Sequence, residues 1–450
     1  MSKPILPDYK SAHVWELYSA QLATEYTQSI EEGKDIERYK ALFDAVSALP
    51  PDEKREKLAD VIFDIVTDAP IVEGYKYNEP STLEEIRALR KSHEFNKNIP
   101  DRDTLYDKIR GAWYSRICGC LLGKTVEGIR LHELIPFLKK TGNYPMHRYI
   151  LHSDITDEIA ESFKFPFRER CYADKVEFMP ADDDTNYMVL AQTVIEKYSR
   201  DFTPRDIAKI WLALQSKNAY CTAERVAFCN FVRGYTPPAS AIYKNPYREW
   251  IGAQIRGDYF GYINPGKPEL AADMAFRDAS ISHIKNGIYG EMFVAAMIAC
   301  AAVTDSLEDI ILGGLGEIPA TSRLYEQVYA LLSDFRAGVS KEECFKKIYA
   351  RYDDTNGHDW CHTISNALIV TASLLYGGGN YGKSICMSVE AGFDTDCNGA
   401  TVGSILGMRG GYSCVGEEWK NPINGKLQTT IFGYDTIDID EACKKTMEHM

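Results

Sequence analysis

Apolar residues recur every three to four positions along nearly the whole chain, the period of helices that bury one face. Trp15, Leu17, Tyr18, Leu22 and Tyr26 form a first such face. Tyr39, Leu42, Phe43 and Val46 form a second, stopped by Pro50 and Pro51, and Leu58, Val61, Ile62, Ile65 and Val66 form a third. A polar join with two asparagines and a proline, residues 96–101, breaks the pattern. Downstream, Tyr187, Leu190, Ala191, Val194, Ile195 and Tyr198 share one face, and helical spacing continues through residues 207–214 and 222–231. Residues 292–300 are apolar all round, which predicts a central, fully buried helix. Residues 304–351 read as two helices about a glycine turn at Gly313, Gly314 and Gly316. No segment shows the alternation of a half-buried strand. The expected fold is all-α: a helical accessory region over residues 1–100 and one helical body over 101–450.

Two stretches mix signals. Residues 129–179 combine helix formers with loop residues. Residues 257–268 are rich in glycine and aromatics, and read as a long turn able to wall a pocket.

From Leu105 a helical pattern carries Gly111, Ser115, Gly119 and Gly123 at four-residue spacing, one stripe of small residues along one face. Glycine inside a helix costs roughly 1 kcal/mol relative to alanine. Several in one stripe imply that another backbone packs closely there. The stripe matches a membrane-dimer spacing, but Arg110, Arg116 and Lys124 on the same helix favour an aqueous setting. It ends at Glu127 and Gly128. A second small-residue stripe, Gly399, Gly403 and Gly407, opens with Asp394, Asp396, Cys397 and Asn398. A further acidic knot, Asp182, Asp183 and Asp184, opens the helix that carries Tyr187.

Acids at a helix start answer the helix dipole. Five carboxylates at two helix starts are nonetheless costly to hold together without a neutralising cation. The two knots are therefore expected to meet around one or two hard divalent ions. Oxygen ligands suit Mg²⁺, Mn²⁺ or Ca²⁺, and two ions roughly 3.5–4 Å apart can share such ligands. The EF-hand pattern is absent. A competing constellation, His358-Asp359-Trp360-Cys361-His362, would place two histidines on one helical face for zinc.

Composition narrows the partners. The net charge of −14 argues against a nucleic-acid polymer. The first residues, Met1 to Pro7, hold no apolar leader core, and no apolar run is long enough to cross a bilayer. The 12 cysteines contain no CxxC pair and read as free thiols of a reducing compartment. The expectation is a soluble, cytoplasmic protein without a membrane partner. Nothing in the sequence sets its oligomeric state.

The motifs resemble the ADP-ribosylglycohydrolase family, which includes the dinitrogenase reductase-activating glycohydrolase. The resemblance begins at Asp107-Lys108-Ile109-Arg110-Gly111, runs through Leu122-Gly123, Glu127-Gly128, both acidic knots, the His283 segment and residues 362–367, and persists to Trp419 and Pro422. It implies an orthogonal helical bundle with a binuclear Mg²⁺ site, Mn²⁺ being an alternative, in a central cleft. Asp182, Asp183 and Asp184 match the first ligand group, and Asp394, Asp396 and Cys397 the second. Asp182 and Cys397 stand where the best-known members carry threonine. The resemblance further implies Glu127 as a catalytic group at the substrate mouth, with Asp183 the other possible base. It also implies substrate contacts from Gly257, Asp258 and His283. Asn398 is expected at the site as a replacement ligand or substrate contact, and Tyr259, Phe260 or Tyr289 offer rings for an adenine.

The implied reaction is hydrolysis of an N- or O-glycosidic bond of an ADP-ribose conjugate, a protein or a small molecule. Three alternatives stand beside it: a relative that binds ADP-ribose or a nucleotide without cleaving it, a zinc hydrolase built on His358 and His362, and a hydrolase of another nucleoside or glycoside.

Overall fold

A computed structural model describes residues 6–450. Residues 1–5 of the sequence segment read above as lacking a leader core lie outside the described residues. The chain is all-α, and among the described residues the strands amount to one antiparallel pair, Lys426–Gln428 with Thr436–Asp438. Each strand is three residues long, too short for an alternating pattern to register in the sequence. No helix of the described residues is long and apolar enough to cross a membrane.

Two helices form the axis of the molecule, Arg102–Lys124 and Thr395–Gly410. Their small-residue stripes face each other in antiparallel register. A Cβ built on Gly119 would stand 2.1 Å from the carbonyl oxygen of Gly399. One on Gly403 would stand 2.3 Å from that of Ser115, and one on Gly111 2.5 Å from that of Gly407. The backbones thus touch over about three turns, and glycine is the residue that permits it. The register has a consequence at one end. Gly123, near the end of the first helix, lies against Thr395 and Asp396 at the start of the second, and Thr395 Oγ1 donates to the Gly123 carbonyl at 2.9 Å.

The helix Lys285–Ala301 is buried almost throughout, as its unbroken apolar run predicts. The expected glycine turn after it is instead part of a helix, Leu307–Leu315. Gly313 and Gly314 make room there for the Cys300 sulfur and the Met297 and Phe293 side chains. The expected pocket-lining turn is also helical: Asp258–Tyr262 is a short buried helix, with Tyr259, Phe260 and Tyr262 wholly inside the core. Tyr289 is likewise buried. None of these rings offers a face to an adenine. Residues 129–179 hold the helices Leu131–Lys140 and Asp157–Ser162, joined by irregular chain.

Residues 18–66 pack a small apolar cluster of their own around Leu22, Phe43 and Ile62. The helix Leu22–Glu31 also presents polar groups to the body. Arg248 pairs with Glu25 at 2.9 Å and Glu32 at 2.6 Å, and Gln28 donates to Glu249 at 2.7 Å. Arg323 pairs with both Glu79 and Glu249. Removing one member of such a buried network leaves an uncompensated charge.

Substituting Gly119 by alanine drives a methyl group into a carbonyl on a neighbouring backbone that cannot step aside. The expected cost is about 3 kcal/mol or more. Gly357→Ala, where a Cβ meets nothing within 4 Å, is expected to stay within about 0.5 kcal/mol of the parent. Denaturant unfolding of both variants checks the contrast.

Candidate cation and substrate site

The antiparallel pair carries the end of one helix to the start of another. Lys124 and Glu127 leave the first helix where Asp394 and Asp396 enter the second. The chain enters that second helix through Gly392 and Phe393, both left-handed, with φ of 73° and 59°. A bulky residue in that region is strained. Phe393 is held there by burial and by stacking, ring planes 5° apart, on Tyr349. The Asp394 backbone N–H then donates to Asn366 Oδ1 at 3.2 Å, and Asn398 Nδ2 donates to the same oxygen at 2.8 Å. Asp394 caps its helix in position only, since its side chain makes no cap hydrogen bond. Its carboxylate is left for other partners.

The third helix start is fixed by Arg116, which is fully buried. Its Nη2 donates to the Asp184 carbonyl at 2.9 Å and to Asp184 Oδ1 at 3.1 Å, while Nη1 donates to Asp258 Oδ1 at 2.8 Å. The helix Asp183–Tyr198 is thereby docked beside the pair, and the two acidic knots meet. One oxygen of Asp184, one of Asp396 and the Cys397 sulfur lie within 4.8 Å of one another. So do an oxygen of Asp182, an oxygen of Asp184 and the Cys120 sulfur.

The carboxylates are not equivalent. Asp182 spends both oxygens inside the protein: Oδ1 accepts the Asp184 N–H at 2.9 Å, and Oδ2 accepts Lys124 Nζ at 2.6 Å. Burial alone would raise its carboxyl, but the charge and hydrogen bond of Lys124, joined by the Asp184 N–H, together hold it below the usual range. Asp184 Oδ2, by contrast, is buried without any partner. Burial, together with the charges of Asp182 and Asp394, pushes Asp184 well up despite Arg116. Asp183 is half-buried and raised by burial and by its two neighbours. Asp394 is raised chiefly by burial, and Asp396 by burial followed by Glu127 and Asp394. Glu127 sits at the rim, its side chain 41% exposed, with Arg170 Nη2 3.9 Å from Oε2. Burial and the charges of Asp394 and Asp182 push it up to about 7.

Six carboxylates therefore face Lys124, an Arg116 already shared with Asp258, and Arg170 at the rim beside Glu127. Raised carboxyls and a buried orphan oxygen mark an excess of negative charge that a divalent cation would relieve. The donors fit such an ion. They are not purely hard, because thiols are interleaved. Cys361 Sγ lies 3.8 Å from Asp394 Oδ2, and Cys221, raised by burial and by the charge of Asp183, lies against Asp183.

Several expectations are corrected. Asp258 is a wholly buried partner of Arg116 and not a surface group, and Gly257 is packed against the Glu291 backbone. His283 is fully buried beside Ser282 and Glu224. None of the three faces an open surface, so their substrate contacts are not supported. Asn398 is buried with Oδ1 unpartnered, oriented by Asn366. The histidine pair of the zinc constellation does come together, one ligand atom each of His358, His362 and Glu31 lying within 4.8 Å of the others, but the hydrogen bonds of both rings favour the tautomer that turns a proton toward Glu31. His358 Nδ1 accepts the Trp250 indole N–H at 3.1 Å, and His362 Nδ1 accepts the Ile364 N–H at 3.1 Å. A neutral imidazole whose Nδ1 accepts carries its proton on Nε2. Both Nε2 atoms face Glu31, at 3.3 and 3.6 Å, that of His362 buried without a hydrogen-bond partner, and in this tautomer each carries a proton that must leave before zinc can bind. Nor do the two histidines share a helix, since His362 caps the one that follows.

Lys124, Arg116, Cys120 and Asn366 are functional neighbours that the sequence reading did not assign. A buried arginine in an otherwise glycine-striped helix is the one available signal. It reports a buried acid without saying which.

A carboxyl raised on folding binds its proton more tightly in the folded state. Its stabilising contribution is full below the unfolded value and is lost as pH rises, here from about 4.5 to about 7 for Glu127. Metal-free protein should therefore lose melting temperature across that window. Glu127→Gln should flatten the loss, and added divalent cation should reverse it. Parallel thermal-melt profiles for parent and variant would contradict the assignment.

The comparisons with known proteins bear on the same residues. Residues 101–448 match the family model for ADP-ribosylglycohydrolase. Among solved structures, one described as an ADP-ribosylglycohydrolase-related protein complex aligns with a TM-score of 0.44 at 14% identity, over 77% of this chain and 98% of that one. No curated protein matches. The matched region contains both helix stripes, both acidic knots and Glu127, and the chain belongs to the ADP-ribosylglycohydrolase family.

Proposed function

We propose that the protein is a divalent-cation-assisted hydrolase that cleaves an N- or O-glycosidic bond of ADP-ribose in a conjugate. The observation that carries this reading is the meeting of a half-exposed glutamate, raised to about 7, with a carboxylate cluster in excess of its cations. Family membership supports the substrate class.

Asp184, Asp394 and Asp396, with Asp183 at the edge, are the residues that would hold the cation. When bound, it supplies positive charge that binds ribose hydroxyls and favours an oxocarbenium-like transition state. The remaining work falls to the chain. Glu127, at the rim, accepts a proton from the attacking water in its ionised form. Asp183, also half-exposed, is the second group within this charge field able to do so. Arg116 holds Asp184 in place, and Asn366 holds Asp394 and Asn398, so the acids keep one geometry without rearrangement.

A second reading, ADP-ribose binding without turnover, is favoured by one feature. The Lys124 ammonium already neutralises part of the cluster. Calorimetry with ADP-ribose beside a turnover assay on ADP-ribosylated arginine and serine peptides separates the two.

In that assay, Asp183→Ala and Asp396→Ala should abolish cation-dependent release of ADP-ribose. Glu127→Gln should lower kcat by roughly a hundredfold or more, and should remove the acid-side rise in activity that titration of this carboxyl produces. Undiminished turnover in both aspartate variants would overturn the reading.

A further inference from the structure

Two groups of ligand atoms share Asp184, and they differ in what already occupies them. In the group of Cys120, Asp182 and Asp184, Asp182 is engaged through both oxygens, one of them by Lys124 Nζ at 2.6 Å. That ammonium is a built-in cation, and a divalent ion placed beside it would meet like charge. In the group of Asp184, Asp396 and Cys397, no cationic side chain among the described residues forms an ion pair with Asp396 or Cys397, Lys124 being bonded to Asp182 instead. There Asp396 Oδ1 accepts the Cys397 backbone N–H, at 3.0 Å, and its carboxyl neighbours that of Asp394. Arg116 takes Oδ1 of Asp184 and leaves Oδ2 buried and unpartnered. Asn398, on the same first turn, also keeps an unpartnered buried Oδ1. The second group is thus where the unmet demand for positive charge lies, and one of its three donors is sulfur.

We infer that the cluster takes a single divalent cation at Asp184, Asp396 and Cys397, with the Cys397 sulfur as a ligand. The ion is therefore of the sulfur-accepting class, Zn²⁺, Fe²⁺ or Co²⁺, in preference to Mg²⁺. This rests on the cation reading of the cluster and deepens it. Hard Mg²⁺ demands near-ideal octahedral oxygen and gains little from sulfur. Borderline first-row ions accept mixed oxygen and sulfur sets. On binding, the Cys397 S–H bond breaks, its proton passes to the buffer, and the sulfur lone pair bonds to the ion. No oxidant or reductant takes part. Lys124 holds the other half of the cluster, which is why one ion suffices where the family resemblance implies two.

The test is optical and independent of turnover. The full chain, freed of metal and kept reduced, is titrated with Co²⁺. The expected result is saturation at one equivalent, with a near-ultraviolet thiolate-to-cobalt charge-transfer band that persists in roughly hundredfold excess Mg²⁺. The band should be lost in Cys397→Ser and kept in Cys120→Ser. Cobalt binding without the band, saturation at two equivalents, displacement by Mg²⁺, or a band that follows Cys120 would each overturn the inference, leaving a cation-binding cluster intact. If Asp396→Asn binds cobalt as tightly as the parent, the cation reading itself fails. The parent spectrum alone decides whether a thiolate is a ligand, and absence of the band there overturns the inference even if a variant does not fold.

Discussion

The structure depends on one contact, the backbone-to-backbone seam between the helices Arg102–Lys124 and Thr395–Gly410. Helices with ordinary side chains sit 8–10 Å apart. Here glycines meet carbonyl oxygens directly, so the register is set to within one residue and cannot slide. That fixes Lys124 and Glu127 opposite Asp394 and Asp396, far apart in sequence, without any side chain having to pull them together. The local cost of glycine inside helices is offset by the packing it admits. The seam also delivers chemistry, since a helix end meets a helix beginning and both are lined with charge.

Around that seam the buried charges follow a hierarchy. Arg116 is wholly enclosed and donates to one oxygen each of Asp184 and Asp258 and to two backbone carbonyls. It behaves as a fixed pin that orients a helix start. Lys124 is partly accessible and neutralises Asp182. What remains uncompensated, at Asp183, Asp184, Asp394, Asp396 and Glu127, is concentrated in one place. Strain at Phe393 lies in the same segment, in keeping with the tendency of strained backbone to gather where geometry is held for function. The polar network around Arg248 and Arg323, which seats the helix Leu22–Glu31 on the body, is by contrast paired acid to base. It reads as attachment.

Much of this was legible in the sequence, for physical reasons that differ by residue. The small-residue stripes are periodic, so Gly111, Gly119 and Gly123 announce a close helix contact by spacing alone. Asp182 to Asp184 and Asp394 to Asp396 stand where helical patterns begin, so their clustering at helix starts is a local property. What stayed hidden depends on direction and partner. Whether Asp258 faces solvent or Arg116 is settled by packing, as is the burial of Tyr259 and Phe260 in what reads as an open turn. The tautomers of His358 and His362 are set by Trp250 and by a helix N-terminus, neither of which spacing reveals. Lys124 looks like a surface lysine in sequence, and only the fold shows that it lies on Asp182.

The most direct measurement is anomalous X-ray scattering from crystals grown metal-free and then exposed to Co²⁺ or Mn²⁺. A peak bounded by Asp184 and Asp396, where the two helix starts converge, is the predicted result. A peak at Glu31, His358 and His362, or scattering confined to surface carboxylates with nothing at the helix junction, would contradict the account.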